Sequence, residues 1–457
     1  MPRHDLYHLR FDLHQHFAAK VYTSGSAVTG QVSLCALRDI KFDDLEICLV
    51  GISTTQNFLH HESGAVAATF MKLVMPNLRR DFPPNRTFLA GREYSFPFRF
   101  IVPSHLAMGA CRHKCASPVV REQHLRLPPT MGFWDGHDQS PQMTQVRYAV
   151  SVLATKQSLL EHLQTRVVEG SHMIRVLPAF SEDPPLEISP LDDRYALSKS
   201  KTIRKNFVAS KLGRLTATTA QPKALMLSPD GHAAGGTLCR IKLAFESSGS
   251  HVLPPKINAI SGKLVTHTYF DISSMTRLPN LGNCSACELP CPYQYTTSNK
   301  LFTLAMADCI DWKEEAYHAS WEEFMFPSTV PPERRASAAT CPEGVGNPKR
   351  LVSEIDVRFS LPEDSRVVYL PTFHSCHISR AYTLDLAISV GQTFTTLSLA
   401  VPLQIGVEAF HPLQRSAVPQ LEAEVSFARG QDHGRRNTYA GWPGSMWESD
   451  NELPGYD

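Results

Sequence analysis

The sequence has no long apolar run and no excess of charge of either sign. No stretch approaches the roughly 20 apolar residues that a membrane-spanning helix requires. Lysine and arginine total 45 against 44 aspartate and glutamate, so the net charge of +1 provides no overall attraction to nucleic acid or membrane. The first residues, MPRHDLYHLRFDLH, carry charges where a secretory signal would be apolar. We therefore expect a soluble, intracellular protein.

Sequence motifs for catalysis and cofactor binding are also missing. The chain contains no glycine-rich phosphate loop, no nucleophile elbow and no HExxH zinc motif. We therefore predict no enzymatic activity, no catalytic residues and no cofactor.

The cysteines do not indicate a disulfide framework or a metal site. Their number, 11, is odd, and they are scattered mostly through strand-like segments, which is typical of reduced thiols. Cys284, Cys287 and Cys291, with Cys309, have spacings that zinc could use, but a second CxxC is lacking. We interpret this group as a chance cluster in a loop and predict no metal.

A second group of reactive side chains is found at His374, Cys376 and His377. A cysteine beside a histidine could form a nucleophile pair. Strand alternation would place His374 and Cys376 on one face and His377 on the other. We predict a buried structural pair at this position.

The clearest pattern in the chain is alternation of apolar and polar residues within 366–405. Apolar residues occupy every second position over 382–390 and, after a break at Gly391, over 397–405. A period of two predicts half-buried antiparallel strands, here joined as a hairpin. Because a hairpin needs a second sheet to cover its apolar face, this part of the chain is predicted to be a β-sandwich.

Similar short strands recur from the N-terminus onward, separated by turn residues. The segment 94–100 is one of them, and its Pro97 predicts an edge strand or a bulge. Only 158–168 departs from the pattern, with leucines at helical spacing that predict a short helix or an extended loop. Many short strands of this kind indicate an all-β protein.

Composition divides the chain into four parts. Residues 1–180 are predicted to form one sandwich, and the proline-rich acidic sequence SEDPPLEISPLDD marks a linker at 181–195. Residues 196–410 are predicted to form a second sandwich, with a long irregular insertion around 271–350. Residues 411–457 are polar and without period, which predicts a disordered tail.

An ordered series of strings in this sequence resembles the fungal α-arrestin-like family of arrestin-related trafficking adaptors. The strings are VTGQVSL, DDLEICLVGIS, YSFPFRFIVPSHL, HLRLPPTMG and VRYAVSVLA, then PKALML, YLPTFHSCHISRAYTLDLAISV and LSLAVPLQI, and the resemblance covers 5–410. It implies two consecutive immunoglobulin-like sandwiches, the arrestin N and C domains. It also implies a non-catalytic adaptor that links membrane transporters or receptors to a ubiquitin ligase for endocytosis and sorting, in the cytoplasm and recruited to the plasma membrane or endosomes.

The family commonly recruits WW-domain HECT-type ubiquitin ligases through PPxY or LPxY motifs. The sequence has no PPxY, but Leu453, Pro454 and Tyr456 match LPxY near the end of the predicted tail. A WW domain stacks such a proline on aromatic rings and holds the tyrosine in a pocket. The alternatives are a chance match and an arrestin-fold scaffold or sorting subunit with no ubiquitin-ligase link.

A basic stretch follows the predicted linker. No acidic residue occurs between Arg194 and Pro229. The candidate contact residues are Lys199, Lys201, Arg204, Lys205, Lys211 and Arg214. They could contact anionic lipid or an acidic cargo tail, and the alternative is a solvated face. Aromatic residues are scarce here, so we predict no nucleic-acid partner.

A candidate phosphorylation site is found in the proline-rich segment of the predicted insertion. Ser337 follows Arg334 and Arg335 in a basic-directed kinase consensus. A phosphate there would add roughly two negative charges beside two arginines, although such matches are common by chance.

Overall fold

The computed structural model of this chain describes residues 6–409. The exceptions within that span are 58–63, 77, 133–136, 158–163, 190–191, 205–210, 250, 283–291, 307–309, 316–349, 363–365 and 393–394. The predicted tail at 411–457 lies outside the described residues.

The described part of the chain consists mainly of strands. Those before residue 177, here called the first half, are β1 (Tyr7–Leu13), β2 (Val21–Tyr22), β3 (Ala27–Ala36), β4 (Ile40–Lys41), β5 (Asp44–Asn57), β6 (Gly64–Val74), β7 (Thr87–Phe88), β8 (Glu93–Ile101), β9 (Thr144–Gln157) and β10 (Gln164–Val176). Those after residue 197, the second half, are β11 (Ser198–Arg204), β12 (Lys211–Thr219), β13 (Leu225–Leu227), β14 (Gly236–Ser247), β15 (Ile257–Phe270), β16 (Tyr293–Ala305), β17 (Lys313–Glu315), β18 (Arg350–Ser360), β19 (Phe373–His374), β20 (Ile378–Val390), β21 (Thr395–Leu403) and β22 (Ile405–Val407). Helical structure is limited, among the described residues, to α1 (Pro118–Leu125) and the 3-10 turns at Leu78–Asp81, Pro84–Arg86 and Met108–Ala110.

The sheets of each half use strands of that half alone, as far as the chain is described. The first half has the sheets β1-β3-β8 and β2-β10-β9-β5-β6, with the small pair β4-β7. The second half has β11-β12-β14-β18-β17 and β16-β15-β20-β19, with β21 on the other side of β20 and the small pair β13-β22. The inner faces of these sheets share an apolar core that is continuous across both halves. The fold is therefore all-β and sandwich-like, as the sequence predicts.

The predicted hairpin in the second half is confirmed. β20 pairs antiparallel with β21, and Leu384 stands opposite Val401. Both side chains are fully buried. Gly391, where the alternation breaks, ends β20 with φ of 69°, a left-handed conformation that glycine adopts without steric cost.

The predicted edge position of Pro97 is also confirmed. β8 is the terminal strand of the order β1-β3-β8, and Pro97 stands opposite Gln31 of β3. Proline has no amide N–H to donate, so it is tolerated where a strand has a neighbour on one side only.

The short helix or extended loop predicted within 158–168 can be compared with the structure only at 164–168, where it is wrong; residues 158–163 lie outside the described residues. β10 begins at Gln164, and Val168 stands opposite Ala154 of β9 with its side chain in the core. Pairing with the long strand β9 satisfies the backbone of 164–168.

The insertion predicted to be irregular contains a long strand. β16 runs along β15 from Tyr293 to Ala305. Its residues are mostly exposed or half-buried, with threonine and tyrosine in place of an apolar alternation. As an edge strand β16 buries little surface, so its sequence lacks the period that marks the buried strands.

The predicted linker is fixed by hydrogen bonds to both halves. The Arg126 guanidinium donates to both carboxylate oxygens of Asp183, at 2.6 and 2.8 Å, and the Asp183 amide donates to Gln404 Oε1 at 2.9 Å. Just before it, Phe180 and Val407 exchange two backbone hydrogen bonds of 2.8 and 3.0 Å. We call this contact region between the halves the seam.

A buried arginine crosses the seam. Arg380 of β20 is 1% exposed, and its guanidinium donates to the Asp138 carbonyl at 2.9 Å and to Ser140 Oγ at 3.0 Å. The Asp138 side chain is also buried and accepts from the backbone amides of Gly132 and Ser140. A buried guanidinium is costly unless its hydrogen-bond partners are in place. Because the partners of Arg380 lie in the first half, its hydrogen bonds favour one arrangement of the two halves.

Candidate functional site

Cysteine and histidine side chains from both halves meet beside the seam. Cys111, His113 and Cys115 lie in the segment just before α1, and His124 lies in the last turn of α1. Cys376 lies in the tight turn between β19 and β20 of the second half. We refer to these five residues as the Cys/His cluster.

The helix that positions His124 is specified locally. Ser117 is the N-cap residue, its hydroxyl accepts from the Val120 amide at 3.3 Å, and Pro118 occupies the first turn. His124 is 2% exposed and Cys111 is fully buried. The helix therefore directs the imidazole back over the segment that precedes it.

The donor atoms of the cluster are closely spaced. Those of Cys111, His113, His124 and Cys376 all lie within 4.8 Å of one another. Cys111 Sγ is 3.4 Å from His113 Nε2 and 3.8 Å from His124 Nδ1. Cys115 Sγ is 3.6 Å from Cys111 Sγ and 3.8 Å from His124 Nδ1. The cluster therefore offers two thiols and two imidazoles at one point, with a third thiol beside them.

Burial keeps several of these groups uncharged. It lowers the pKa of His124 to about 4, with the nearby histidines 113, 374 and 377 contributing in the same direction. It raises the pKa of the Cys376 thiol to about 12, and contacts with Cys111 and Cys115 add to that increase. At neutral pH His124 is thus a neutral imidazole, the form in which histidine binds metals.

Backbone contacts hold the first-half segment against the second half. The Ala116 amide donates to the Thr276 carbonyl at 2.8 Å across the seam. The Arg121 guanidinium donates to the Cys111 carbonyl at 3.1 Å, which ties the segment to α1. These contacts hold the residues of the cluster in fixed positions between the two halves.

The sequence prediction of no metal site did not foresee this cluster. The cysteines that it considered, 284, 287, 291 and 309, lie outside the described residues. The spacing C-x-H-x-C at 111–115 was the available signal, and a histidine follows it in α1. Cys376 could not be matched to these residues by spacing, because only the fold brings it to them.

The buried pair predicted at His374 and Cys376 takes another form. His374 is buried in β19, and its Nδ1 is 2.9 Å from Ser379 Oγ. Cys376 lies beyond the end of β19, so strand alternation does not extend to it. His374 therefore has a structural partner within the hairpin, whereas Cys376 joins the Cys/His cluster.

The basic candidates that are described lie on β11 and β12, and their side chains are exposed. Lys199 and Lys201 stand opposite Ala217 and Leu215. Arg214 stands opposite Thr202 and, on its other side, opposite Glu246 of β14. Residues directly opposite share a face, so Lys199 and Lys201 lie on the side of the buried Ala217 and Leu215 and are exposed because β11 is an edge strand. Arg214 projects from the other face.

Other predicted site residues lie outside the described part of the chain. They are the motif residues Leu453, Pro454 and Tyr456, the candidate phosphorylation site Ser337, and Lys205 of the basic stretch.

No family model matches the chain, and no curated protein matches it. Within the described residues, no helix has both the length and the apolar character required to cross a membrane.

Proposed function

We propose that the chain is an α-arrestin-like adaptor that links the cytosolic tails of membrane transporters or receptors to a WW-domain HECT-type ubiquitin ligase. It would act in the cytoplasm and be recruited to the plasma membrane or endosomes. The observation that carries the proposal is the strand partition: two successive sandwich-like sets of sheets, joined by a fixed segment, in one chain. In this proposal the two sets of sheets are two immunoglobulin-like domains, the arrestin N and C domains.

The positions of the resembling strings support this proposal. VTGQVSL falls within β3, DDLEICLVGIS spans most of β5, and VRYAVSVLA falls within β9. In the second half, AYTLDLAISV forms most of β20, and LSLAVPLQI covers β21 and the start of β22. The resemblance therefore lies largely in strands whose inner faces form the core.

The proposed adaptor needs an enzyme from outside. The resemblance implies a protein without catalytic activity, and no motif of this sequence supplies ubiquitin-transfer chemistry. The motif at Leu453, Pro454 and Tyr456 has a recognised geometry for WW-domain binding. A ligase tethered there would meet cargo lysines at raised effective concentration.

Replacing Tyr456 by alanine should abolish WW-domain binding. The wild-type tail should bind with a Kd on the order of 1–50 μM, because a short peptide makes few contacts to offset the loss of translational freedom. The variant leaves the tyrosine pocket of the WW domain empty. Fluorescence anisotropy with recombinant WW domains measures the loss, and Tyr439→Ala, which removes a tyrosine outside the motif, is the matched control.

The same variant separates the adaptor from the alternative scaffold or sorting subunit. In cells, Tyr456→Ala should stop cargo ubiquitination and leave cargo binding unchanged. A chain truncated before Leu453 that still supports cargo ubiquitination would show that the ligase binds another surface.

The exposed lysines of the edge strand β11 are proposed to contact anionic membrane. Changing Lys199 and Lys201 to glutamine should weaken binding to anionic liposomes, by about 1 kcal/mol per residue near the charged surface. It should also reduce the salt dependence of binding. Arg214→Gln removes one positive charge from the opposite face of the sheet and is the control, with effects compared per charge removed. Equal effects per charge in liposome co-sedimentation would argue against a contact through the β11 lysines.

A further inference from the structure

We propose that Cys111, His113, His124 and Cys376 bind one Zn²⁺ ion, which joins the two halves at the seam. Three of the donors come from the first half, around α1, and the fourth comes from the β19–β20 turn of the second half. This assignment concerns a metal site and does not depend on the adaptor function.

The donor set is the first support. Two thiolates and two imidazoles are a common ligand combination of four-coordinate structural zinc sites. Carboxylates, which calcium and magnesium prefer, are not part of the set. Sulfur and nitrogen donors in this number favour zinc over the hard cations.

The spacing is the second support. Bond lengths of about 2.3 Å to sulfur and 2.0–2.1 Å to nitrogen place tetrahedral ligand atoms about 3.3–3.8 Å apart. Cys111 Sγ already lies 3.4 Å from His113 Nε2 and 3.8 Å from His124 Nδ1. The largest distance between two donor atoms of the set is at most 4.8 Å. Zinc binding requires this distance to shorten by about 1 Å, which small side-chain rotations can supply.

The surroundings are the third support. Cys111 and His124 are buried, which protects a metal from exchange with water. In the absence of a cation, the two thiols and two imidazoles could form only weak S–H···N contacts with one another. A bound dication converts both thiols to thiolates and releases their protons, so that burial of the group becomes favourable.

The fourth ligand is assigned to His113 rather than to Cys115. Cys115 Sγ lies near Cys111 and His124, but it does not belong to the set of four whose donor atoms are all mutually close. Its thiol is therefore expected to be dispensable for zinc binding. Loss of zinc in Cys115→Ser, with retention in His113→Ala, would overturn this part of the assignment.

The test is metal analysis of the full-length chain. Protein purified without chelator and dialysed against metal-free buffer should hold one equivalent of zinc by inductively coupled plasma mass spectrometry. Cys376→Ser should weaken zinc binding by more than the roughly 100-fold that loss of an outer-shell contact can cost. After dialysis against a competing chelator, Cys376→Ser should retain less than about a tenth of an equivalent of zinc.

Cobalt binding is an independent test of the same site. Cobalt added to the wild-type chain should give the visible absorption of a tetrahedral thiolate site, and this absorption should be lost in Cys376→Ser.

Matched variants separate this site from the other cysteines. Cys35→Ser changes a partly buried cysteine on β3, away from the cluster, and should keep the full equivalent of zinc. The triple change Cys284→Ser, Cys287→Ser and Cys291→Ser should keep it as well. Loss of zinc in the triple variant, with retention in Cys376→Ser, would place the metal elsewhere and overturn the proposal.

A rescue variant distinguishes the loss of a zinc ligand from misfolding of the chain. Cys376→His retains a zinc ligand at this position and should recover zinc binding that Cys376→Ser loses. Removing zinc with a chelator should lower the Tm of the wild-type chain by roughly 5 °C or more, and leave the Tm of Cys376→Ser unchanged. A chain that holds no zinc, or that contains a disulfide between Cys111 and a neighbouring cysteine in intact-mass analysis, would contradict the proposal.

Discussion

Replacing Arg380 by methionine should lower the free energy of unfolding by about 1–3 kcal/mol, because buried acceptors lose their hydrogen bonds. The arginine is 1% exposed, and its hydrogen bonds to Asp138 and Ser140 cross from the second half to the first. Methionine is unbranched and has no donor, so the Asp138 carbonyl and Ser140 Oγ both lose the hydrogen bond that they accept from Arg380.

Urea denaturation followed by tryptophan fluorescence measures this effect. The control is Arg240→Met, which removes an exposed arginine of β14 whose guanidinium pairs with Asp356 at 2.8 Å. This change should leave the denaturation midpoint nearly unchanged, because an exposed ion pair is screened by water. Similar losses in both variants would show that the buried contacts at the seam contribute no more than a surface ion pair.

Replacing Leu384 by alanine should destabilise the protein by about 2–5 kcal/mol. Leu384 lies in the middle of β20, between Leu264 of β15 and Val401 of β21, and all three side chains are fully buried. Truncation removes apolar surface from the core and leaves a cavity that paired strands on both sides cannot easily fill.

The adjacent residue offers a matched control for this prediction. Asp385 is the next residue of β20, and its side chain is exposed on the opposite face of the sheet. Asp385→Ala should therefore shift the urea midpoint much less than Leu384→Ala does. A larger loss from Asp385→Ala would contradict the assignment of the two faces.

The buried strands could be predicted from the sequence because burial imposes a period. Leu384 and its alternate neighbours in β20 had to be apolar to cover the core, so their spacing reveals both the strand and its inner face. β16 could not be predicted in the same way, since an edge strand with mostly exposed side chains is under no such constraint. Alternation thus reports burial rather than strand structure itself.

The sequence contains a helix-start signal at α1, but the helix was not predicted from it. Ser117 followed by Pro118 is a typical helix start, yet α1 has only eight residues and lies between strands. The Cys/His cluster was harder to foresee, since its donors come from α1, the segment before it and a turn in the second half. A site made of residues distant in sequence depends on the fold, and the fold was predicted only as a class.

The order in which the seam can form follows from the position of β22. The sheets of the first half require no described strand after β10, whereas the Phe180–Val407 pairing needs the last described strand of the chain. At translation rates of about 5–20 residues per second, Val407 emerges from the ribosome roughly 10–50 s after Val176. During that interval the nascent first half exposes the seam surfaces of Phe180 and α1 without their partners. These surfaces are therefore open to a chaperone for longer than the core of the first half, which needs no later strand.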